Sequence, residues 1–320
     1  MSVEKSISVV VPVYNEEQNI KPFLSRIVPV LEKLGPHEII FCLDPSPDQT
    51  QAVIEKEIEK NPNLRLLVFS RRFGQPAATM AGIWHCEGEW CVVIDVDLQD
   101  PPEIIPKLFE KAKEGYDVVT ARRRDRHGEN LVKKTVSHLG YAVINKIAEV
   151  HIPPNTGDFR IMSRRVIDEL MRLKEKHGFL RGLVPLVGFP QSEIVYDRDA
   201  RKLGQGNYSP LTGSLRIGFN GIIAFSTSPL KIVMWTGFLI ACISFIASLG
   251  MFFAKFALNT TYPMGIPTIT ILILFMGGVQ MVSIGILGEY IGRTYDEVRD
   301  RPLYIVKKAV NIEPRTYGAS

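Results

Sequence analysis

The chain has 320 residues, of which 46% are hydrophobic and 22% charged; this excludes a disordered or collagen-like polymer and predicts one large structural unit or two. A formal net charge of +4 is too small to define a partner. The charges are unevenly spread: from Ile232 to Gly288 the only charged side chain is Lys255, so the sequence predicts a soluble domain followed by a membrane domain.

Taken in order, the first 120 residues alternate short apolar runs with longer amphipathic segments. Ile7 to Val13, Glu38 to Leu43, Leu64 to Phe69, Trp90 to Ile94 and Asp117 to Thr120 read as strands, rich in Val, Ile, Leu and Phe as strands buried on both faces are. Between them Glu16 to Leu34, Asp48 to Lys60, Pro76 to Cys86 and Pro101 to Glu114 read as helices. This βαβα order predicts an open, mostly parallel sheet, in which ligands bind at the carboxyl ends of the strands. Further on come a basic stretch, a helix from Leu131 to Glu149, the segment 155–163 and short elements up to Tyr196. Leu211, Leu215, Phe219, Ile222 and Ile223 then form an apolar stripe at helical spacing, predicting an interfacial helix.

The uncharged run Ile232 to Ala254 would extend about 35 Å as a helix, enough for a ~30 Å hydrocarbon layer. A polar break from Asn259 to Pro263 separates it from a second apolar run ending at Gly288. The expected division is therefore a domain over 1–208, an interfacial helix over 209–228, a two-helix transmembrane hairpin over 229–290 and a tail over 291–320. Arg216 and Lys231 precede the first span; Arg293, Arg299, Arg301, Lys307 and Lys308 follow the second. By the positive-inside rule both ends lie in the cytoplasm, making a two-span protein of the cell membrane. The amino terminus has no basic region followed by an apolar run and cleavage site, so no secretory signal is expected. Cys42, Cys86, Cys91 and Cys242 lack paired spacing and are expected as free thiols.

Chemistry concentrates at strand ends. In Asp95-Val96-Asp97-Leu98-Gln99-Asp100-Pro101-Pro102-Glu103, carboxylates at i and i+2 leave a buried strand on one side of an extended backbone. Their repulsion invites a hard divalent cation completed by substrate phosphates, with Asp97 as ligand. Asp100 with Glu103 fits a capping box. Asp44, at the end of the second strand, either accepts a hydrogen bond from a base such as uracil or serves turn chemistry, with Ser46 before Pro47 as a helix cap; Asn15 is a candidate cap for the helix beginning at Glu16. Arg122, Arg123, Arg124, Arg126, Lys133, Lys134 and Ser137 suit a phosphate or anionic head group beside a membrane, and the lack of interleaved aromatics argues against nucleic acid. Asp158, in Gly157-Asp158-Phe159-Arg160, is either a catalytic carboxylate or a buried partner of Arg160. The sequence holds no phosphate loop, no GxGxxG, no HExxH and no CxxC, which removes support for the commonest nucleotide- and zinc-binding readings.

Together, the segments 10–17 (VVPVYNEE), 42–50 (CLDPSPDQT), 70–82 (SRRFGQPAATMAG), 95–103 (DVDLQDPPE), 157–164 (GDFRIMSR) and 225–230 (FSTSPL) resemble the family 2 glycosyltransferases of GT-A fold. Within them the likeness is to polyprenyl-phosphate glycosyltransferases: dolichol-phosphate mannose synthases and, closer, bactoprenol glucosyltransferases. The resemblance implies that Pro12, Val13, Tyr14 and Glu16 surround the nucleotide and that Asp44 recognises its base. It further implies that Asp95 faces ribose and diphosphate, that Asp97 and Gln99 hold Mg2+ or Mn2+, and that Asp158 lies near the acceptor. Arg122, Lys133 and Ser137 then match positions that bind the lipid phosphate. Two departures stand out: Leu43-Asp44-Pro45-Ser46 replaces the paired acids and glycine of many relatives, and Lys133 stands in place of arginine.

The activity implied is inverting transfer of a sugar, glucose from UDP-glucose first among the candidates, to the phosphate of an undecaprenyl or dolichyl lipid at the cytoplasmic membrane face. Asp97, Asp95 and Asp158 carry the chemistry. Two alternatives stay open: a GDP-mannose-dependent mannose synthase, and an inert membrane-tethered binder of nucleotide or lipid head group. Homo-oligomerisation stays open as well.

Overall fold

The computed structural model describes residues 6–124, 156–173, 180–198, 266–299 and 301–313, together with a helical run at 232–240 and isolated residues between 230 and 253. The chain divides into two compact units, one carrying a sheet and the other a long helix.

In the first unit, eight strands form one sheet in the order β7-β5-β6-β4-β1-β2-β3-β8. They are β1 (Ile7–Val13), β2 (His37–Leu43), β3 (Leu64–Phe69), β4 (Trp90–Val93), β5 (Val118–Arg123), β6 (Thr156–Ser163), β7 (Gln191–Tyr196) and β8 (Val306–Val310). The pairs β1–β2, β1–β4, β2–β3 and β5–β7 are parallel. Only β6 and β8 run against their neighbours, so the α/β sheet is mostly parallel, as expected of a GT-A-like domain. Every residue of β1 and β2 is buried, which is why their sequences read as unbroken apolar runs.

Helices cover both faces. On one side α1 (Glu17–Glu32), α2 (Thr50–Ile58) and α4 (Ile105–Lys113) contribute Ile20, Phe23, Ile54 and Leu108 to a core with Val9, Val11, Ile39 and Phe41 of the strands. On the other, α3 (Gln75–His85) packs on β1 and β2. The contact is close at Gly82, where a Cβ would meet Val10 and Cys42 side-chain atoms at 2.2 and 2.8 Å. Two shorter helices, α5 (Arg164–Arg172) and α6 (Leu180–Val187), follow β6.

Several expectations need correction in detail. Asn15 is exposed in the left-handed region at φ 59° and does not cap α1. Instead the amides of Asn15, Glu16 and Glu17 donate to Ser46 Oγ, Thr50 Oγ1 and Asp48 Oδ2 at 2.9, 3.0 and 3.1 Å. The helix start is thus satisfied from the neighbouring loop, and Ser46 serves β1–α1 rather than its own helix. The capping box at Asp100 and Glu103 is also absent: Glu103 pairs with Arg26 Nε and Nη2 at 2.9 and 2.8 Å, and Asp100 turns inward.

The segment expected as a C-terminal tail supplies β8, antiparallel to β3. Tyr304 is buried against Phe69 and His85, with ring centroids 5.7 and 6.0 Å away, and Lys308 reaches Glu55 at 2.8 Å. In the second unit α7 (Ile266–Val298) overlaps the second expected span, with Ile269, Leu272, Ile273 and Phe275 exposed. Counted over the described residues, no helix is long and apolar enough to cross a membrane. The helix expected at 131–149 and the interfacial helix at 209–228 lie outside the described residues.

Candidate active site

The parallel strands deliver their carboxyl ends to one edge of the sheet, and β6, running antiparallel, delivers its amino end there. The β4–β6 register pairs Val92 with Ile161 and Val93 with Arg160; carried two residues on, it sets Asp95 opposite Asp158. Burial, followed by the charges of Asp158, Asp100 and Asp97, raises Asp95 to about 7, with Arg123 opposing the shift. Burial alone would raise Asp158 too, but Arg181, Arg160 and Arg123 hold its carboxyl below the ordinary range. The Arg181 Nε lies 3.0 Å from Asp158 Oδ1. Two facing carboxylates therefore hold their protons very differently.

The turn after β4 is built around Asp97 and Asp100. Asp97 Oδ1 accepts the Gln99 amide at 3.1 Å, and Leu98 between them sits at φ 61°, a left-handed backbone that costs a non-glycine residue on the order of 1–2 kcal/mol. Asp97 and Gln99 are both largely buried. Asp100, 1% exposed, accepts from Tyr196 Oη and pairs with Arg123 Nη2 and Arg198 Nε, each at 3.3 Å. Arg198 also approaches Asp97 Oδ2 at 3.9 Å. Gly157 lies beside this hub, where a Cβ would meet Arg123 Nη2 at 2.9 Å and push that side chain aside.

Neighbouring strand residues point to opposite faces, and this separates the two arginines at the end of β5. Arg123 reaches Asp100 and influences Asp95 and Asp158. Arg122, the residue expected to bind lipid phosphate, pairs with Glu193 of β7 at 3.1 Å. Lys133 and Ser137 lie outside the described residues. The charged run of arginines hid this distinction in the sequence; strand alternation is the signal that could have found it.

On the other side of the cluster, the loop between β3 and α3 touches three expected nucleotide residues in succession. The Arg72 guanidinium lies 3.9 Å from the Tyr14 ring centroid. Asp44, 3% exposed, accepts the Phe73 and Gly74 amides at 2.9 and 2.8 Å, and Gly74 takes φ 91°, where a side chain would be strained. Gln75 Nε2 donates to Asp95 Oδ1 at 2.8 Å. Asp44 therefore has a structural duty, and each oxygen keeps a second lone pair for a ligand. Pro12 and Val13 are buried at the end of β1, and Glu16 Oε2 accepts from Asn19 Nδ2 at 2.5 Å.

The model of glycosyl transferase family 2 matches residues 8–171. The chain belongs to that family. A second model, the GtrB C-terminal hairpin, matches residues 228–294. The bactoprenol glucosyl transferase derived from the SfII prophage of Shigella flexneri is 39% identical over 305 residues, covering 95% of this chain and 98% of that protein. The prophage bactoprenol glucosyl transferase homolog of Escherichia coli K12 is 38% identical, covering 94% and 98%, and the YkcC glycosyltransferase of Bacillus subtilis 40%, covering 98% and 97%. Among solved structures, glucosyl-3-phosphoglycerate synthase from Mycobacterium tuberculosis with Mn2+, UDP and glucosyl-3-phosphoglycerate aligns with 68% of this chain and 78% of that one, at 19% identity and a TM-score of 0.46.

The oxygen donors at this sheet edge suit a hard divalent cation. Asp97 and Gln99 offer oxygen ligands beside the carboxylate of Asp95, whose ionisation burial and the neighbouring acids disfavour. Among the described residues no group of three or more His, Cys, Asp or Glu could hold a metal by itself, so substrate oxygens and water would complete the shell, as Mg2+ in particular prefers.

Proposed function

We propose that this glycosyltransferase moves glucose from UDP-glucose to the phosphate of a polyprenyl phosphate, with inversion, at the cytoplasmic face of a membrane. The observation that carries the reading is the meeting of Asp95, Asp97 and Asp158 at one sheet edge, flanked by guanidinium groups. Support also comes from relatives named bactoprenol glucosyl transferases, whose similarity spans this chain nearly end to end, and from the hairpin match over 228–294. That match and the charge gap between Ile232 and Gly288 support the two membrane spans.

Mg2+ or Mn2+, held by Asp97 and Gln99, would supply positive charge for the departing diphosphate. Tyr14 and Asp44 would receive the base, with Asp44 pre-oriented by the Phe73 and Gly74 amides. The acceptor phosphate is ionised near neutral pH, so its oxygen can form the bond to the anomeric carbon as the bond to the diphosphate breaks. The acceptor therefore needs no strong base. Asp158, kept ionised by its arginines, orients the acceptor rather than storing a proton. Arg123, which reaches Asp100 and acts on Asp95 and Asp158, would help bring two anions together; of the acceptor contacts that the resemblance implies, Arg122 is engaged with Glu193, and Lys133 and Ser137 lie outside the described residues.

The test is full-length protein with Mn2+, undecaprenyl phosphate and a panel of sugar nucleotides, product masses being recorded. A hexosyl lipid is expected from UDP-glucose, and Asp97→Asn should abolish it while the protein remains folded. Nucleotide binding without any glycolipid would overturn the catalytic reading; product from GDP-mannose alone would overturn the donor.

A further inference from the structure

We infer that Arg198 is a built-in counter-ion at the cation's own carboxylate: it holds Asp97 when no cation is bound and yields Asp97 when one arrives, staying beside the donor's diphosphate. The inference rests on the proposed cation site at Asp97.

The geometry supplies the argument. Arg198 stands two residues beyond β7 and divides its guanidinium between two carboxylates, with Nε 3.3 Å from Asp100 Oδ1 and Nη2 3.9 Å from Asp97 Oδ2. The Asp100 contact is the closer and the more deeply buried, since the Asp100 side chain is 1% exposed and that of Asp97 10%. Asp100 is also fixed by Tyr196 and Arg123, so it is the anchor, and the longer contact to Asp97 is the one that can be given up. A guanidinium and a divalent cation on one carboxylate repel each other strongly in a poorly solvated site, so the two occupancies compete. Once Asp97 takes the cation, the guanidinium is left next to it with donors to spare, and the diphosphate brought by the donor is the anion that fits them.

This makes two predictions of opposite sign. With Mn2+ alone, Arg198→Gln should bind the ion more tightly than wild type, by roughly three- to tenfold, because a competing unit charge is gone. With Mn2+ saturating, the same variant should bind UDP-glucose about tenfold more weakly, because a charge-assisted contact is lost. Arg198→Lys, which keeps the charge, should leave Mn2+ affinity close to wild type. The measurements are Mn2+ binding to full-length protein by electron paramagnetic resonance and donor binding by calorimetry. A purely structural peg on Asp100 would weaken both ligands together, and that result, or unchanged Mn2+ affinity in Arg198→Gln, overturns the inference. An Asp97→Asn arm separates the premise: Mn2+ binding undiminished there would remove the cation site itself, and the inference with it.

Discussion

Asp95 and Asp158 face each other across the end of the β4–β6 ladder, in the register set by Val93 and Arg160, yet one is raised to about 7 and the other is lowered. The difference lies in their partners. Asp158 has Arg181 at 3.0 Å, whereas Asp95 has the neutral amide of Gln75.

The raised carboxyl makes stability depend on pH. A folded-state value of about 7 against an ordinary 3.8 means that Asp95 favours the fold fully below pH ~4 and loses that contribution as pH rises through ~7. Asp95→Asn should remove this slope and melt above wild type at pH 8, by on the order of 2 kcal/mol after solvent screening. Parallel melting curves across pH 4 to 8 would show the assignment to be wrong.

Gly157→Ala reaches the acceptor side without removing an ionisable group. Its Cβ would press on Arg123 Nη2, the far end of a flexible side chain that can move aside. Stability should fall by only about 1 kcal/mol, while KM for the lipid rises several-fold and KM for the sugar nucleotide stays near its original value. Steady-state kinetics in both substrates decide it.

Arg123→Ala and Arg122→Ala form a matched pair, since strand alternation sends the two side chains to opposite faces. The first should raise KM for the lipid at least about tenfold, as expected for a charge-assisted phosphate contact. The second breaks only a half-exposed pair with Glu193 and should matter much less. Equal effects would put both residues at the acceptor.

At the far end of the sheet, Glu38 is completely buried and paired with Arg65 Nη1 at 2.8 Å, with Ser8 Oγ and with the Glu87 amide. Arg65→Met takes the guanidinium away from that buried carboxylate and should cost about 3–5 kcal/mol. Below the melting temperature the specific activity of the surviving protein should be unchanged, and a loss of activity without a loss of stability would contradict the separation of the two ends.

Much of this domain was legible in the sequence because its parallel strands are buried on both faces and write themselves as apolar runs: Ile7 to Val13 and Leu64 to Phe69 coincide with β1 and β3. β7 and β8 were harder. Edge strands carry mixed residues, as Gln191, Glu193, Lys307 and Lys308 do, and their pairing is decided by distant chain. The acidic site showed at Asp95, Asp97 and Asp158 because strand ends and turns concentrate polar residues. Its counter-ions did not: Arg181 and Arg198 come from α6 and the end of β7, and nothing local links them to the carboxylates they meet. Asp100 misled for a related reason, since an acid before two prolines looks like a cap until a buried tyrosine and two arginines are seen around it.

The return of Val306–Val310 to β3 also sets an order of assembly. β3 is synthesised within the first 70 residues, and its outer edge has no strand partner until residue 310 has been made. While the ribosome works through the apolar stretch in between, the nascent enzyme carries an open sheet edge, a surface prone to pairing with other chains. Interruption of synthesis in that interval would leave the polypeptide sticky, and the pairing of Val306–Val310 is what ends its exposure.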